Sequence, residues 1–238
     1  MKLRKLQNQV KTRSIALIAV FAALTAVLDA LPGLPQLSSG VWYGWTFIVI
    51  PLAGIVLCPW EAFLSVFIGV MISHTVVFVD PYEYLFTIGA PVGALISSLV
   101  YRQKLHSVLP YYVVLLAAYF LTPAAWNLPL WALWDTYIAF IVLITVVFFK
   151  KKLYNMAKGW LPFAFSALIG LEADILFRII LFVPLGTYNW LYGFSLDFVW
   201  SIWVVSAFIT PIQVGMALFT TSLAGAILIK ATGDRESK

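Results

Sequence analysis

Ser14-Ile15-Ala16-Leu17-Ile18-Ala19-Val20-Phe21-Ala22-Ala23-Leu24-Thr25-Ala26-Val27-Leu28-Asp29-Ala30-Leu31 is the stretch that decides the fold. It carries one charge, Asp29, near its far end. A helix of this length rises about 1.5 Å per residue and reaches across most of a bilayer core. Lys2, Arg4, Lys5, Lys11 and Arg13 precede it. A secretory leader begins the same way, but no small-x-small cleavage site with a polar mature domain follows. The stretch reads as a retained first span.

Working outward, further apolar segments occupy residues 41–58, 61–79, 84–101, 106–121, 136–149, 160–183 and 203–229. The composition agrees, with 63% hydrophobic and 11% charged residues. A soluble domain has about 25% charged residues, so the bilayer must solvate much of this chain. The expected fold is all-α, a polytopic transmembrane helix bundle of about eight spans. The expected division is a cytoplasmic basic leader at 1–13, one transmembrane domain at 14–230 and a cytoplasmic polar tail at 231–238.

Basic residues set the orientation. Besides the leader they are Arg102 and Lys104, then Lys150, Lys151, Lys152 and Lys158, then Lys230, Arg235 and Lys238. With eight spans all of these fall on one side, which the positive-inside rule makes the cytoplasm. Both termini are therefore expected there, in a multi-pass protein of the plasma membrane. Tryptophans favour the other side: Trp42, Trp45, Trp126, Trp131, Trp134, Trp190, Trp200 and Trp203 map outward, and only Trp60 and Trp160 inward. This asymmetry fits either interfacial anchoring or an aromatic vestibule. The outer connection at 184–201 fits a surface segment or a lid.

Catalytic signatures are missing. The chain has no G-x-x-x-x-G-K-[ST], H-E-x-x-H or G-x-S-x-G. His74 and His106 map to opposite membrane sides and cannot share a metal, and Cys58 is the single cysteine. No catalytic residue, cofactor or metal is expected, and the net charge of +5 lacks the pattern of a nucleic-acid surface.

The strongest local signal is Leu171-Glu172-Ala173-Asp174-Ile175-Leu176-Phe177-Arg178. Ionisable groups at bilayer depth cost several kcal/mol and must face a protein interior or a wet cavity. Asp174 and Arg178, four apart, can pair on one face. Glu172 points about 120° away from Arg178 and needs another partner, a proton or a ligand. The cluster fits a structural ion pair with a protonated Glu172, or a polar binding site entered from outside. Asp29, His74, Asp80, Glu83, Asn127 and Asp135 map to the same level. Small residues recur at four-residue spacing: Ala19 and Ala23, Ala22 and Ala26, Gly89 and Gly93, then Ala217, Thr221 and Gly225. Such stripes let helices approach closely, within the chain or against a partner.

Residues 12–75 resemble the substrate-binding S components of energy-coupling factor transporters. The basis is the basic entry into Thr12-Arg13-Ser14-Ile15-Ala16-Leu17-Ile18-Ala19-Val20-Phe21-Ala22-Ala23-Leu24 and the Pro32-Gly33 turn. The run Phe47-Ile48-Val49-Ile50-Pro51-Leu52-Ala53-Gly54-Ile55-Val56-Leu57 follows, then Cys58-Pro59-Trp60-Glu61-Ala62. Cys58 stands where that family often has glycine, and the family typically has six spans. The resemblance implies capture of a vitamin-like micronutrient from the outer face, with no ATPase of its own. It also implies a membrane coupling protein, docked on Ala19, Ala22, Ala23 and Ala26, and cytoplasmic ATPases. The substrate site would include Trp42, Trp45, Glu172, Asp174, Arg178 and Trp190. A proton- or ion-coupled secondary transporter, an intramembrane lipid-modifying enzyme and a structural assembly factor stand as alternatives.

Overall fold

The computed structural model describes residues 2–31, 33, 44–77, 83–156 and 159–232. Trp42, Asp80, Pro32, Lys158 and the tail from residue 233 lie outside the described residues. Ten α-helices appear among the described residues: α1 (Lys2–Ala30), α2 (Thr46–Val56), α3 (Pro59–Val76), α4 (Glu83–Phe86), α5 (Gly89–Tyr101), α6 (Leu109–Phe120), α7 (Trp134–Met156), α8 (Leu161–Phe182), α9 (Thr187–Trp190) and α10 (Leu196–Thr232). No strand occurs among the described residues.

Among the described residues, five helical stretches are long and apolar enough to cross a membrane: Thr12–Ala30, Pro59–Val76, Glu83–Tyr101, Leu130–Lys150 and Leu196–Thr232. Their outward faces carry large apolar side chains, among them Val20 and Val27 on α1, Ile72 on α3, and Phe208, Phe219 and Ile227 on α10. Such surfaces suit lipid rather than water, and these helices fit a membrane protein. The shorter α2 and α6 are also apolar.

Helix limits differ from the sequence expectation in instructive ways. α1 begins at Lys2, so the basic leader continues the first helix rather than preceding it. The expected fourth span is broken between Phe86 and Gly89. α7 runs on to Met156 with a kink at Phe149, and α10 starts at Leu196, shortening the expected 184–201 connection. Local chemistry sets some ends. Pro59 opens α3 where its missing N–H costs nothing, and Glu61 Oε2 accepts from the Cys58 backbone N–H at 3.2 Å, a capping box. Pro211 inside α10 cannot donate to the Ala207 carbonyl, and Trp134 Nε1 donates to that carbonyl instead at 2.9 Å.

α8 is the centre of the bundle, packed by α5, α10, α7, α2 and α6. Ser97 and Ser166 exchange hydroxyl-to-carbonyl hydrogen bonds between α5 and α8, at 3.0 and 2.6 Å. Tyr111 and Tyr112 of α6 donate to the Ala173 and Ile169 carbonyls, at 2.7 and 2.6 Å. This encirclement buries Glu172 and Asp174 and half-buries Arg178 on an otherwise apolar helix. The α5–α8 approach is close because a side chain at Gly93 or Gly170 would collide with the facing backbone or with Ser97. The stripe at Ala217, Thr221 and Gly225 is likewise buried within the chain, with Gly225 against Phe163 and Ile55.

Candidate functional site

A cavity of about 500 Å³ lies at the end of the bundle where α1 and α3 finish and α2, α5, α7 and α10 begin. Its walls combine ionisable and aromatic side chains. Asp29, His74, Glu83, Asp135, Asp174 and Arg178 supply the charge. Phe86, Phe182, Tyr192, Phe194 and Trp203 supply a continuous aromatic face. Phe182 stacks on Trp203 with centroids 5.9 Å apart and planes 13° apart, and Tyr192 stacks on Phe194 at 5.3 Å. Pockets of this size and apolar character with a few placed polar groups are the usual form of small-molecule sites.

The charged groups are held in pairs and short chains. Arg178 Nε donates to Asp174 Oδ1 at 2.6 Å along one face of α8. Gly89 makes room for that carboxylate, because a Cβ there would strike Asp174 Oδ1. His74 Nε2 lies 3.2 Å from Asp29 Oδ2, joining the ends of α1 and α3, and its Nδ1 lies 3.1 Å from Thr87 Oγ1. Asp135 accepts from Thr210 Oγ1 at 2.5 Å and from the Thr136 N–H at 2.9 Å.

The connection between α8 and α10 contributes Tyr192 and Phe194 to the cavity wall. Gly186 and Gly193, at φ of 70° and 68°, adopt left-handed turns on either side of α9. Thr187 Oγ1 donates to the Leu181 carbonyl, and the Phe194 N–H to the Tyr188 carbonyl, both at 2.8 Å. These turns aim Tyr192 and Phe194 at the cavity, where the Tyr192 hydroxyl donates to Glu83 Oε1 at 3.5 Å.

The residues singled out from the sequence divide. Asp174 and Arg178 line the cavity together. Glu172 does not line it: the side chain is fully buried, and its Oε2 accepts from Thr136 Oγ1 at 2.8 Å. Trp45 lies between the lining residues Gly44 and Thr46, but its own ring packs on Phe47. Trp190 is 65% exposed, its Nε1 spent on the Leu185 carbonyl, and it too is off the cavity. Among the described tryptophans Trp203 lines it; Trp126, Trp131, Trp134 and Trp200 are exposed. Tyr192 and Phe194 lie in the 184–201 connection expected as a surface segment or a lid, whereas nothing in the sequence pointed to Phe182 or Phe86.

The proposed docking stripe also splits. Ala22 is buried against Gly69 of α3, where a Gly69 Cβ would lie 2.5 Å from the Ala22 carbonyl oxygen, so Ala22 is corrected to an intrachain contact. Ala19 and Ala23 are exposed and Ala26 is half-buried. Among the described residues no group of three His, Cys, Asp or Glu side chains converges on a metal site. No family model, curated protein or solved structure matches this chain.

Proposed function

We propose that the chain is the substrate-capture subunit of a micronutrient uptake transporter, binding a vitamin-like small molecule and lacking an ATPase of its own. The observation that carries this reading is the cavity of about 500 Å³ roofed by Tyr192 and Phe194 at one end of an apolar bundle. A pocket bordered by a short, turn-defined segment suits capture and release at one membrane face.

In this reading the chain crosses the plasma membrane eight times, through the five long apolar stretches together with α2, α6 and α8. The basic residues outside α8 then sit on the cytoplasmic side with both termini, and the cavity opens outward. The resemblance of residues 12–75 to S components supports a membrane coupling protein and cytoplasmic ATPases as partners, met on Ala19 and Ala23. Native mass spectrometry of the purified chain, with bound small molecules extracted and identified, tests the reading. A polar small molecule is the expected result; a bound lipid or prenyl compound would transfer support to an intramembrane enzyme.

A self-contained secondary transporter is favoured by one observation. Glu172 Oε1 is buried with no hydrogen-bond partner among the described residues. A carboxyl group in that position suits a coupling proton.

A further inference from the structure

The lining of the cavity has a sign. Four carboxylates, Asp29, Glu83, Asp135 and Asp174, face one guanidinium, Arg178, and one imidazole, His74. With the four carboxylates ionised and both cationic groups charged, the wall is net negative. Arg178 is the one Lys or Arg among the described lining residues, and it already donates to Asp174 at 2.6 Å, so an anion entering the cavity meets a guanidinium that is paired. The carboxylates come from α1, α4, α7 and α8 and are spread around the wall. No three of them converge with a His or Cys on one point, which suits an extended charge and not a metal ion.

The aromatic face points the same way. Phe182, Trp203, Tyr192 and Phe194 present π-surfaces that attract cations and stack on flat rings. Aromatic attraction and the carboxylate field both favour a cation in this cavity.

From the joint occurrence of a carboxylate-rich wall and an aromatic face in one cavity, we infer that its ligand is an organic cation carrying a flat ring. This rests on the capture reading and narrows its substrate class.

Three probes that share a benzyl or phenyl ring test the sign: benzyltrimethylammonium, benzyl alcohol and benzoate. Saturation-transfer NMR on the full chain in phosphatidylcholine nanodiscs, with empty nanodiscs subtracted, measures each affinity. The expected order is cation first, at least tenfold tighter than benzyl alcohol, with benzoate weakest. Asp135→Asn and Glu83→Gln should each weaken the cation about threefold or more and leave benzyl alcohol within twofold, and retained benzyl alcohol binding certifies that each variant is folded. Trp203→Ala should weaken both probes. Benzoate binding as tightly as the cation would overturn the inference, as would a cation preference that neither carboxylate variant reduces, or failure of all three probes to bind. A neutral or anionic molecule extracted from the purified chain would overturn the cation assignment while leaving the capture reading standing. Absence of any extracted molecule together with absence of probe binding would overturn both.

Discussion

Thr136 Oγ1 donates to Glu172 Oε2 at 2.8 Å, placing the Glu172 carboxyl one hydrogen bond behind a residue that lines the cavity. The neighbouring Asp135 faces the cavity directly. Two acidic groups at the same level of the bundle therefore have different access: one faces the cavity and the other is sealed among helices.

That difference separates the two transport readings. Glu172→Gln keeps an acceptor for Thr136 and leaves the cavity wall unchanged. In a capture subunit, probe affinity should stay within about twofold and uptake should continue. In a proton-coupled carrier the same variant should abolish the dependence of uptake on a proton gradient. Uptake into vesicles with and without an imposed gradient decides between them.

The Asp174–Arg178 pair should show thermodynamic coupling. Asp174→Asn and Arg178→Gln each strand one partner, and the double variant removes both charges. The Arg178 side chain keeps 39% of its surface open to the cavity, which places the coupling near the low end for contacting pairs, about 1 kcal/mol. Thermal unfolding of the four proteins in one detergent measures it; additive effects would show that the 2.6 Å contact contributes little.

Two glycines should respond to alanine with opposite signs. At Gly170 the added methyl would meet the Gly93 carbonyl at 2.9 Å and overlap Ser97, so a loss of about 1–3 kcal/mol is expected. At Gly215, inside α10, nothing lies within 4 Å. Alanine there should be neutral or stabilise by up to about 1 kcal/mol through helix propensity. Melting temperatures of the two variants check the contrast.

Trp134→Phe removes the donor that serves the Ala207 carbonyl freed by Pro211. A buried acceptor left without a partner costs about 1–3 kcal/mol. The variant should therefore melt lower, and Pro211→Ala in the same background should recover part of the loss by restoring an intrahelical donor. No recovery would place the loss in the packing of the indole ring instead.

Adjacent alanines on α1 should behave differently. Ala22→Trp forces a large ring between α1 and α3 at Gly69 and should prevent stable folding, since overpacking even by small groups costs about 1–3 kcal/mol. Ala23→Trp points outward and should leave the melting temperature unchanged. If α1 docks a coupling protein, Ala23→Trp retains ligand binding but stops uptake; normal uptake by this variant would sink the docking proposal.

Helix formation in this chain was determined by the sequence alone. Segments such as residues 14–31 and 203–229 have no water to satisfy their backbone groups in a bilayer, so they must close their hydrogen bonds internally. The i, i+4 spacing of Asp174 and Arg178 likewise fixes their pairing, because helix periodicity acts locally. The rotation of α8 was decided only by its neighbours: α7 takes up Glu172 through Thr136, while Asp174 is left facing the cavity beside Gly89. Which aromatic side chains form the wall was equally invisible, since Phe86, Phe182 and Trp203 come from separate helices. Trp190 and Tyr192 stand two residues apart, and only the second reaches the cavity. Between Gly186 and Gly193 the backbone turns through left-handed conformations. No helix or strand period there tells which side chain points inward; the packing of the turn against Leu181 and Glu83 does.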